Sequence, residues 1–141
     1  MQFPTLKTFL VCREIEGTVE GDGPFSLRDV LVGGITLDKP LFDDETASIR
    51  LAIYTELFTR EPVEPGAFGV QLISADGAPI QDRIGSQPQS CEVEFPNVPG
   101  GTAVAIKWAL DNVRPGEMVM RPFWHDEVLG EFPFRVVNPS A

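Results

Sequence analysis

Apolar and polar residues alternate with a period of two along much of the chain. The clearest run is TAVAIKWALDN, residues 102–112, in which every second residue is a large apolar one. Successive side chains of a β-strand point to opposite faces, so this alternation is typical of a strand with one buried face. The pattern predicts strands over residues 5–15, 26–37, 47–58, 67–74, 90–95, 102–112, 117–124 and 128–137.

Turn-forming residues separate the predicted strands. Pro, Gly, Asn and Asp concentrate at residues 60–66, 75–79, 96–102 and 113–116, and each of them favours turns. Many short strands without helical periodicity predict an all-β fold. We expect a single domain over residues 1–141, a two-sheet antiparallel sandwich of immunoglobulin-like architecture with seven to eight strands. The predicted core includes Cys12, Ile49, Leu51, Ile53, Phe68, Val70, Val93, Trp108, Phe132 and Phe134.

The final hairpin contains the only histidine of the chain, His125. Directly opposed residues of an antiparallel pair point to the same face, so the alternation on the two arms limits the register. A three-residue loop beginning at His125 sets Phe132 opposite Met120 and Val128 opposite Trp124, which makes one face apolar. We therefore predict that His125 lies at a solvated tip. Two prolines in the arms cannot donate to a ladder, which predicts a hairpin that is irregular or at a sheet edge.

The composition is acidic. The chain of 141 residues has 21 Asp and Glu against 11 Lys and Arg, and its formal net charge is −10. Such a surface repels phosphate backbones, so we expect no nucleic-acid partner. No apolar run is long enough for a membrane helix or a secretory signal, so we expect a soluble, cytoplasmic protein without a membrane partner. In that compartment Cys12 and Cys91 are expected to be reduced.

The sequence presents no candidate catalytic, cofactor-binding or metal-binding residues. A nucleophile needs a base within reach, and with one histidine any Cys–His or Ser–His pair would have to use His125. Cys12 and Cys91 have apolar neighbours at two-residue spacing, which is typical of core positions. The glycine pairs at 33–34 and 100–101 lack the pattern of a phosphate-binding loop. We therefore expect no enzyme activity, no cofactor and no metal.

Two alternatives use the acidic residues. Loops of a sandwich can pool carboxylates as calcium ligands, so the first alternative is a carbohydrate- or calcium-binding module, although no EF-hand spacing occurs. The second alternative is a carboxylate-dependent hydrolase, which needs two carboxyl groups held in a cleft. The loop acids concerned are Asp38, Asp43, Asp44, Glu45, Asp76, Asp82, Asp126 and Glu127.

Two segments carry a resemblance to a known family. The segment FLVCREIEGTVEGDGPFSLRDVLVGGITL places Cys12, Gly17, Leu31, Gly33 and Ile35 in a strand, turn and strand order, and RPGEMVMRPFWHDEVLGEFPFRVV forms a closing hairpin. Together they resemble a family of uncharacterised bacterial all-β sandwich proteins that has no assigned activity. Arg13 stands where that family usually has an acidic residue, and the first turn is longer. The resemblance implies a fold and no site residues.

The function that the sequence favours is non-catalytic. We expect a protein-interaction or structural module that binds a protein partner or a second copy of itself, through a strand edge or an apolar end of the sandwich. Strand 47–58 contains no proline and carries Tyr54 and Phe58 on its otherwise polar side. Exposed aromatic side chains favour interfaces, so these two residues form the predicted interaction surface. The alternative is that they cover neighbouring loops.

Overall fold

All regular structure in the described part of the chain is β-strand. The computed structural model describes residues 3–19, 24–42, 44–74 and 89–139, and these residues form ten strands and no helix. The predicted all-β class is therefore confirmed. The strands are β1 (Thr5–Gly17), β2 (Phe25–Leu31), β3 (Gly34–Thr36), β4 (Ala47–Thr59), β5 (Gly66–Ser74), β6 (Gln89–Val93), β7 (Gly100–Val113), β8 (Gly116–Trp124), β9 (Glu127–Val128) and β10 (Phe132–Val137).

The strands form two sheets. Sheet A has the order β2-β1-β4-β7, and every neighbouring pair in it is antiparallel. Sheet B has the order β3-β10-β8-β5-β6, with β9 paired to β8, and it curls as a half-barrel. In sheet B, β3 runs parallel to β10, with Ile35 opposite Val136. The strands β2 and β7 therefore end sheet A, and β3 and β6 end sheet B.

Two of the predicted strands are each divided into two, which gives ten strands instead of seven or eight. The strand predicted at 26–37 is divided: its first part, β2, ends at Leu31, and the chain then crosses from sheet A to sheet B. The crossing uses Gly33, whose φ of 76° lies in the left-handed region that glycine adopts without a side-chain clash. The run predicted at 128–137 is interrupted between Val128 and Phe132.

The main core lies between the two sheets. Inward residues of sheet A, such as Leu51 and Trp108, share one buried cluster with inward residues of sheet B, such as Phe68 and Trp124. Every residue predicted for the core is buried except Phe132, which is half-buried and stacks on Phe9 with 4.3 Å between ring centroids. The alternation therefore identified the packed faces of most strands.

A second apolar cluster covers the outer face of sheet A. It contains Cys12, Ile15, Val19, Ala52 and Tyr54, and it is separate from the core between the sheets. In a flat strand Cys12 and Ile15 would point to opposite faces, because they are three residues apart. Their shared cluster indicates that β1 twists after Cys12, so that Ile15 packs on the same face as Cys12.

No disulfide joins the two cysteines, which lie in different sheets. Cys12 is fully buried in β1, and its thiol donates a hydrogen bond of 3.5 Å to the carbonyl of Ala52. Burial raises the pKa of the Cys12 thiol. Cys91 is half-buried in β6 of sheet B. Among the described residues, no helix has the length and apolarity that crossing a bilayer would require.

Candidate functional site

The single histidine lies at the tip of the hairpin between β8 and β9. His125 is exposed, as predicted, and its backbone N–H donates to the carbonyl of Ala67 at 3.0 Å. Its φ of 51° lies in the left-handed region, where histidine occurs more often than most side chains. Its ring meets the edge of the Trp124 ring, with 5.7 Å between centroids. The side chain therefore borders the core without entering it.

The predicted register of this hairpin is confirmed in its body and is wrong at its tip. Phe132 lies opposite Met120, as the apolar face required. At the tip, however, Glu127 lies opposite Trp124, so the loop has two residues instead of three. The extra residue is taken up between β9 and β10, and this shift restores the predicted register lower down. The hairpin is irregular, and among the described residues only its short strand β9 lacks a second neighbour, because β10 lies between β3 and β8 and β8 lies between β10 and β5.

The predicted interaction residues lie on an interior strand. β4 pairs with β7 along its length and with β1 from Ala52 to Phe58, so among the described residues the part of the strand that carries Tyr54 and Phe58 has no free edge, and the expectation of edge pairing at these two residues is wrong. Tyr54 is only 7% exposed, because the ring of Phe25 stacks on it with 5.3 Å between centroids. Phe58 is half-buried, and Lys7 Nζ lies 5.6 Å from its ring centroid. The placement of Tyr54 matches the alternative that it is covered by a neighbouring segment.

Tyr54 belongs to a small polar network on the outer face of sheet A. Its hydroxyl donates to Glu56 Oε2 at 2.8 Å, and Thr8, directly opposite Glu56, donates to the other carboxylate oxygen. These hydrogen bonds lower the pKa of Glu56, while burial of the carboxyl opposes the shift. Burial raises the pKa of Tyr54 to about 12, and the hydrogen bond and negative charge of Glu56 act in the same direction.

The loop acids do not assemble a metal site in the described part of the chain. Within residues 3–19, 24–42, 44–74 and 89–139, no group of three or more His, Cys, Asp or Glu side chains could hold a metal ion. One of the acids, Glu45, instead closes a local turn by accepting the backbone N–H of Phe42 at 2.9 Å. Three further acids of the calcium and hydrolase alternatives, Asp43, Asp76 and Asp82, lie outside the described residues.

An apolar cleft that the sequence did not indicate opens beside β2. The cleft has a volume of about 230 Å³ and lies where β1 and β2 of sheet A approach β10 of sheet B. The stacked rings of Phe9 and Phe132 line it. Val30, 44% exposed, and Val32, 94% exposed, stand at its rim. The consecutive apolar residues of "VLV" before the glycine pair were the available signal, because they place an apolar residue on both faces of the strand.

The free edge of β2 continues this apolar surface. Among the described residues, β2 pairs with β1 alone, and most of its side chains are exposed. Phe25, at the start of the strand, is 38% exposed in spite of its stacking on Tyr54. An unpaired strand edge offers backbone donors and acceptors to another chain. The exposed aromatic and valine side chains therefore accompany an edge that is open to pairing.

Comparison with family models and curated proteins does not assign the chain to a family. No family model matches the sequence, and no curated protein matches it.

Proposed function

We propose that the chain is a non-catalytic protein-binding module whose contact surface is the free edge of β2 together with the apolar cleft beside it. The observation that carries this proposal is the position of Val32, which is 94% exposed at the rim of an apolar cleft. A protein partner or a second copy of the chain would bury this valine and add a strand next to β2. The immunoglobulin-like sandwich, the bacterial family and the cytoplasmic location stay predictions.

Two neighbouring features support this surface over the one predicted from the sequence. Within the residues that the structure describes, β2 pairs on one side only, whereas β4 is paired on both sides at Tyr54 and Phe58. Phe25 and Val30 are partly exposed, whereas Tyr54 is covered. Exposed apolar side chains beside an open edge are a combination that soluble proteins usually avoid unless a partner covers it.

The geometry of β2 also limits how a partner binds. Asp29 has a φ of 54°, which interrupts the regular strand between Arg28 and Val30. A left-handed residue twists the edge, so a long regular ladder with a partner is unfavourable. We therefore propose that side-chain burial at Val30 and Val32 supplies most of the affinity, with backbone pairing on one side of Asp29.

The test compares two valines of similar chemistry at different places. Val32→Asp puts a charge into the proposed contact, and Val128→Asp, at a site 47% exposed on the hairpin tip, is the matched control. Burying an unpaired carboxylate is strongly unfavourable, so we expect Val32→Asp to weaken association by about tenfold or more. Val128→Asp should change it by less than about twofold, since its site stays in water.

Light scattering on the purified chain measures self-association, and affinity capture from the native cell measures binding to other proteins. Support requires association that Val32→Asp removes and Val128→Asp preserves. A chain that is monomeric at high concentration and captures no protein contradicts the proposal. Equal loss in both variants contradicts it as well, because the effect would then not depend on the cleft.

A further inference from the structure

A groove with an unusual charge lies on the outer face of sheet A and shares no lining residue with the cleft. It has a volume of about 600 Å³ and runs between the twisted β1–β2 hairpin and the exposed surface of β4 and β7. Ala109 contributes a small, exposed side chain to its sheet side, which leaves space above β7. The volume falls within the range of about 300–1,000 Å³ that is usual for small-molecule sites.

Cations outnumber acids in this groove, in contrast to the chain as a whole. The lining includes four cationic side chains and two acidic ones, whereas the chain has 11 Lys and Arg against 21 Asp and Glu. The four cations are Arg13, Arg28, Arg50 and Lys107. A positive concavity on a protein with a net charge of −10 is therefore a local feature of the fold.

Only one of the four cations is neutralised within the described residues. Arg28 pairs with Glu16 at 2.9 Å and reaches Glu14 at 3.9 Å. Arg13, Arg50 and Lys107 form no ion pair within the part of the chain that the structure describes. The groove therefore keeps three cationic groups available for a ligand.

The strand pairing holds two of these cations close together. Arg50 lies opposite Ala109 and Lys107 lies opposite Ala52, so the two cations are diagonal neighbours on the same face of β4 and β7. Diagonal neighbours on adjacent strands have their Cβ atoms within about 7–8 Å, and like charges at such separations repel each other. An anion between them would remove this repulsion.

A second groove adjoins the first. It has a volume of about 460 Å³, shares Arg13 and Arg50 with the first groove, and adds Lys39 and Asp38, whose charges are opposite. Arg13 and Arg50 therefore border both concavities. Their guanidinium groups can bind carboxylate or phosphate oxygens through two parallel hydrogen bonds, which a lysine cannot do.

We propose that this groove binds a small organic polyanion, a molecule with two or more carboxylate or phosphate groups. The three cations lie on neighbouring strands, which are about 4.8 Å apart, so the charges span roughly 10 Å. A small ligand confines its charge to the groove. A nucleic acid would extend over the surrounding acidic surface, where its phosphates are repelled. The groove is separate from the β2 cleft, so this proposal stands independently of protein binding there.

Calorimetric titration with citrate and with pyrophosphate tests the proposal and distinguishes the two ligand chemistries. Both titrations are made at constant ionic strength, with sodium chloride as the balancing salt, because a general salt effect would otherwise imitate binding. We expect a dissociation constant of about 1 mM or tighter for at least one probe, as several charge-assisted hydrogen bonds would give. The probe that binds more tightly identifies the carboxylate or the phosphate class.

The matched variants are Arg50→Gln and Arg60→Gln. Arg60 is exposed just beyond the end of β4, ten residues from Arg50. At about 3.3 Å per residue, this places it roughly 33 Å along the strand, outside the groove. We expect Arg50→Gln to weaken binding about tenfold or more and Arg60→Gln to change it less than about twofold. Lys107→Gln is a second groove variant, and all three sites are exposed, so folding should be retained.

Amide chemical-shift mapping supplies a second readout of the same titration. We expect the largest shifts at Ala52, Lys107 and Ala109, on the outer face of sheet A. Binding of neither probe below about 10 mM, at constant ionic strength, overturns the proposal, since such weak binding amounts to less than about 3 kcal/mol. Equal loss in Arg50→Gln and Arg60→Gln overturns it too, as do shifts confined to other surfaces.

Discussion

Replacing Tyr54 with phenylalanine tests whether this residue is a structural member of the outer face of sheet A. The substitution removes the hydroxyl that donates to Glu56 at 2.8 Å and keeps the ring that stacks on Phe25. Glu56 is exposed, so water replaces the lost donor. We therefore expect Tyr54→Phe to reduce the free energy of unfolding at neutral pH by about 1 kcal/mol, the usual net value of such a hydrogen bond.

The larger consequence appears at alkaline pH. The pKa of Tyr54 is raised to about 12 in the folded chain, chiefly by burial, whereas an unfolded tyrosine has a pKa near 10. Because the folded state favours the neutral phenol, the stability that this shift contributes is fully present below about pH 10 and is lost as the pH rises towards 12. Two pKa units correspond to roughly 2–3 kcal/mol in total, of which roughly 2 kcal/mol is lost by about pH 11.5.

The order of stability of the wild-type chain and Tyr54→Phe should therefore reverse as the pH rises. The variant is less stable at neutral pH, but it lacks the group whose ionisation destabilises the wild type. By about pH 11.5 we expect the variant to be the more stable chain by roughly 1 kcal/mol. Urea unfolding curves recorded between about pH 8 and pH 11.5 measure both free energies of unfolding.

The titration can also be observed directly, because Tyr54 is the only tyrosine of the chain. Near-ultraviolet absorbance of the phenolate then reports this residue alone. Glu56→Gln is the control, since it removes the negative charge of Glu56 but leaves the burial that is the largest cause of the shift. In Glu56→Gln we expect the pKa of Tyr54 to be lower than in the wild-type chain but still above the ordinary value of a tyrosine. A native-state midpoint near pH 10 in the wild-type chain would refute the reasoning and show that Tyr54 is accessible to solvent.

Three further substitution and labelling experiments test other parts of the structure. His125→Ala should change the free energy of unfolding by less than about 0.5 kcal/mol in urea titrations, because the ring is exposed; a loss above about 2 kcal/mol contradicts this placement. Gly34→Ala should destabilise the chain by about 2 kcal/mol or more, because its Cβ would lie 2.1 Å from a carbonyl oxygen of β10. Gly33→Ala should lower the free energy of unfolding by about 1 kcal/mol, because Gly33 has open space around it and only its left-handed backbone opposes a side chain. Equal melting temperatures of the two variants would contradict the close packing of Gly34 against β10. Iodoacetamide should leave Cys12 unmodified in the native chain, since its thiol is fully buried. Rapid alkylation of Cys12, detected by mass spectrometry, would show that the second apolar cluster on the outer face of sheet A is open to solvent.

The sequence predicts which face of each strand is buried better than it predicts which strands are neighbours in a sheet. Alternation depends on which side chains face the core, so it identified the packing of β4 and β7 directly. Strand order depends on contacts between distant segments, which one sequence does not encode locally. The run from Leu51 to Thr55 is buried at every position, which is typical of a central strand with both faces covered. Small apolar residues on the supposedly polar sides of the strands, such as Ala52 and Ala105, were the available signal.

The hairpin illustrates a second limit of pattern-based prediction. Parity requires that Phe132 and Met120 point to the same face, and this requirement was met. Parity does not distinguish a three-residue loop from a two-residue loop followed by an irregularity, because both give the same register in the body. Histidine at a left-handed position allowed the shorter loop here. Local backbone preferences therefore decided the tip, and apolar burial decided the rest.

The candidate surfaces were less accessible to prediction than the core. The cations of the outer groove are far apart in sequence, and only the order of strands in sheet A brings them together. The β2 cleft likewise needs the crossing at Gly33, which places Val32 outside both sheets. A prediction that treats residues 26–37 as one strand gives this valine an ordinary position.

The parallel pairing of β3 with β10 has a consequence for the order in which the chain can fold. Gly34 pairs with Arg135, so the first strand of sheet B pairs with a segment that is synthesised about one hundred residues later. At roughly 5–20 residues per second, a ribosome takes about 5–20 s to make the intervening chain. During that interval β3, which carries the buried residue Ile35, has no partner strand to form hydrogen bonds with. Completion of the β3 edge is therefore tied to the synthesis of β10, and chains shortened before β10 should be exposed to aggregation through the unpaired β3 segment.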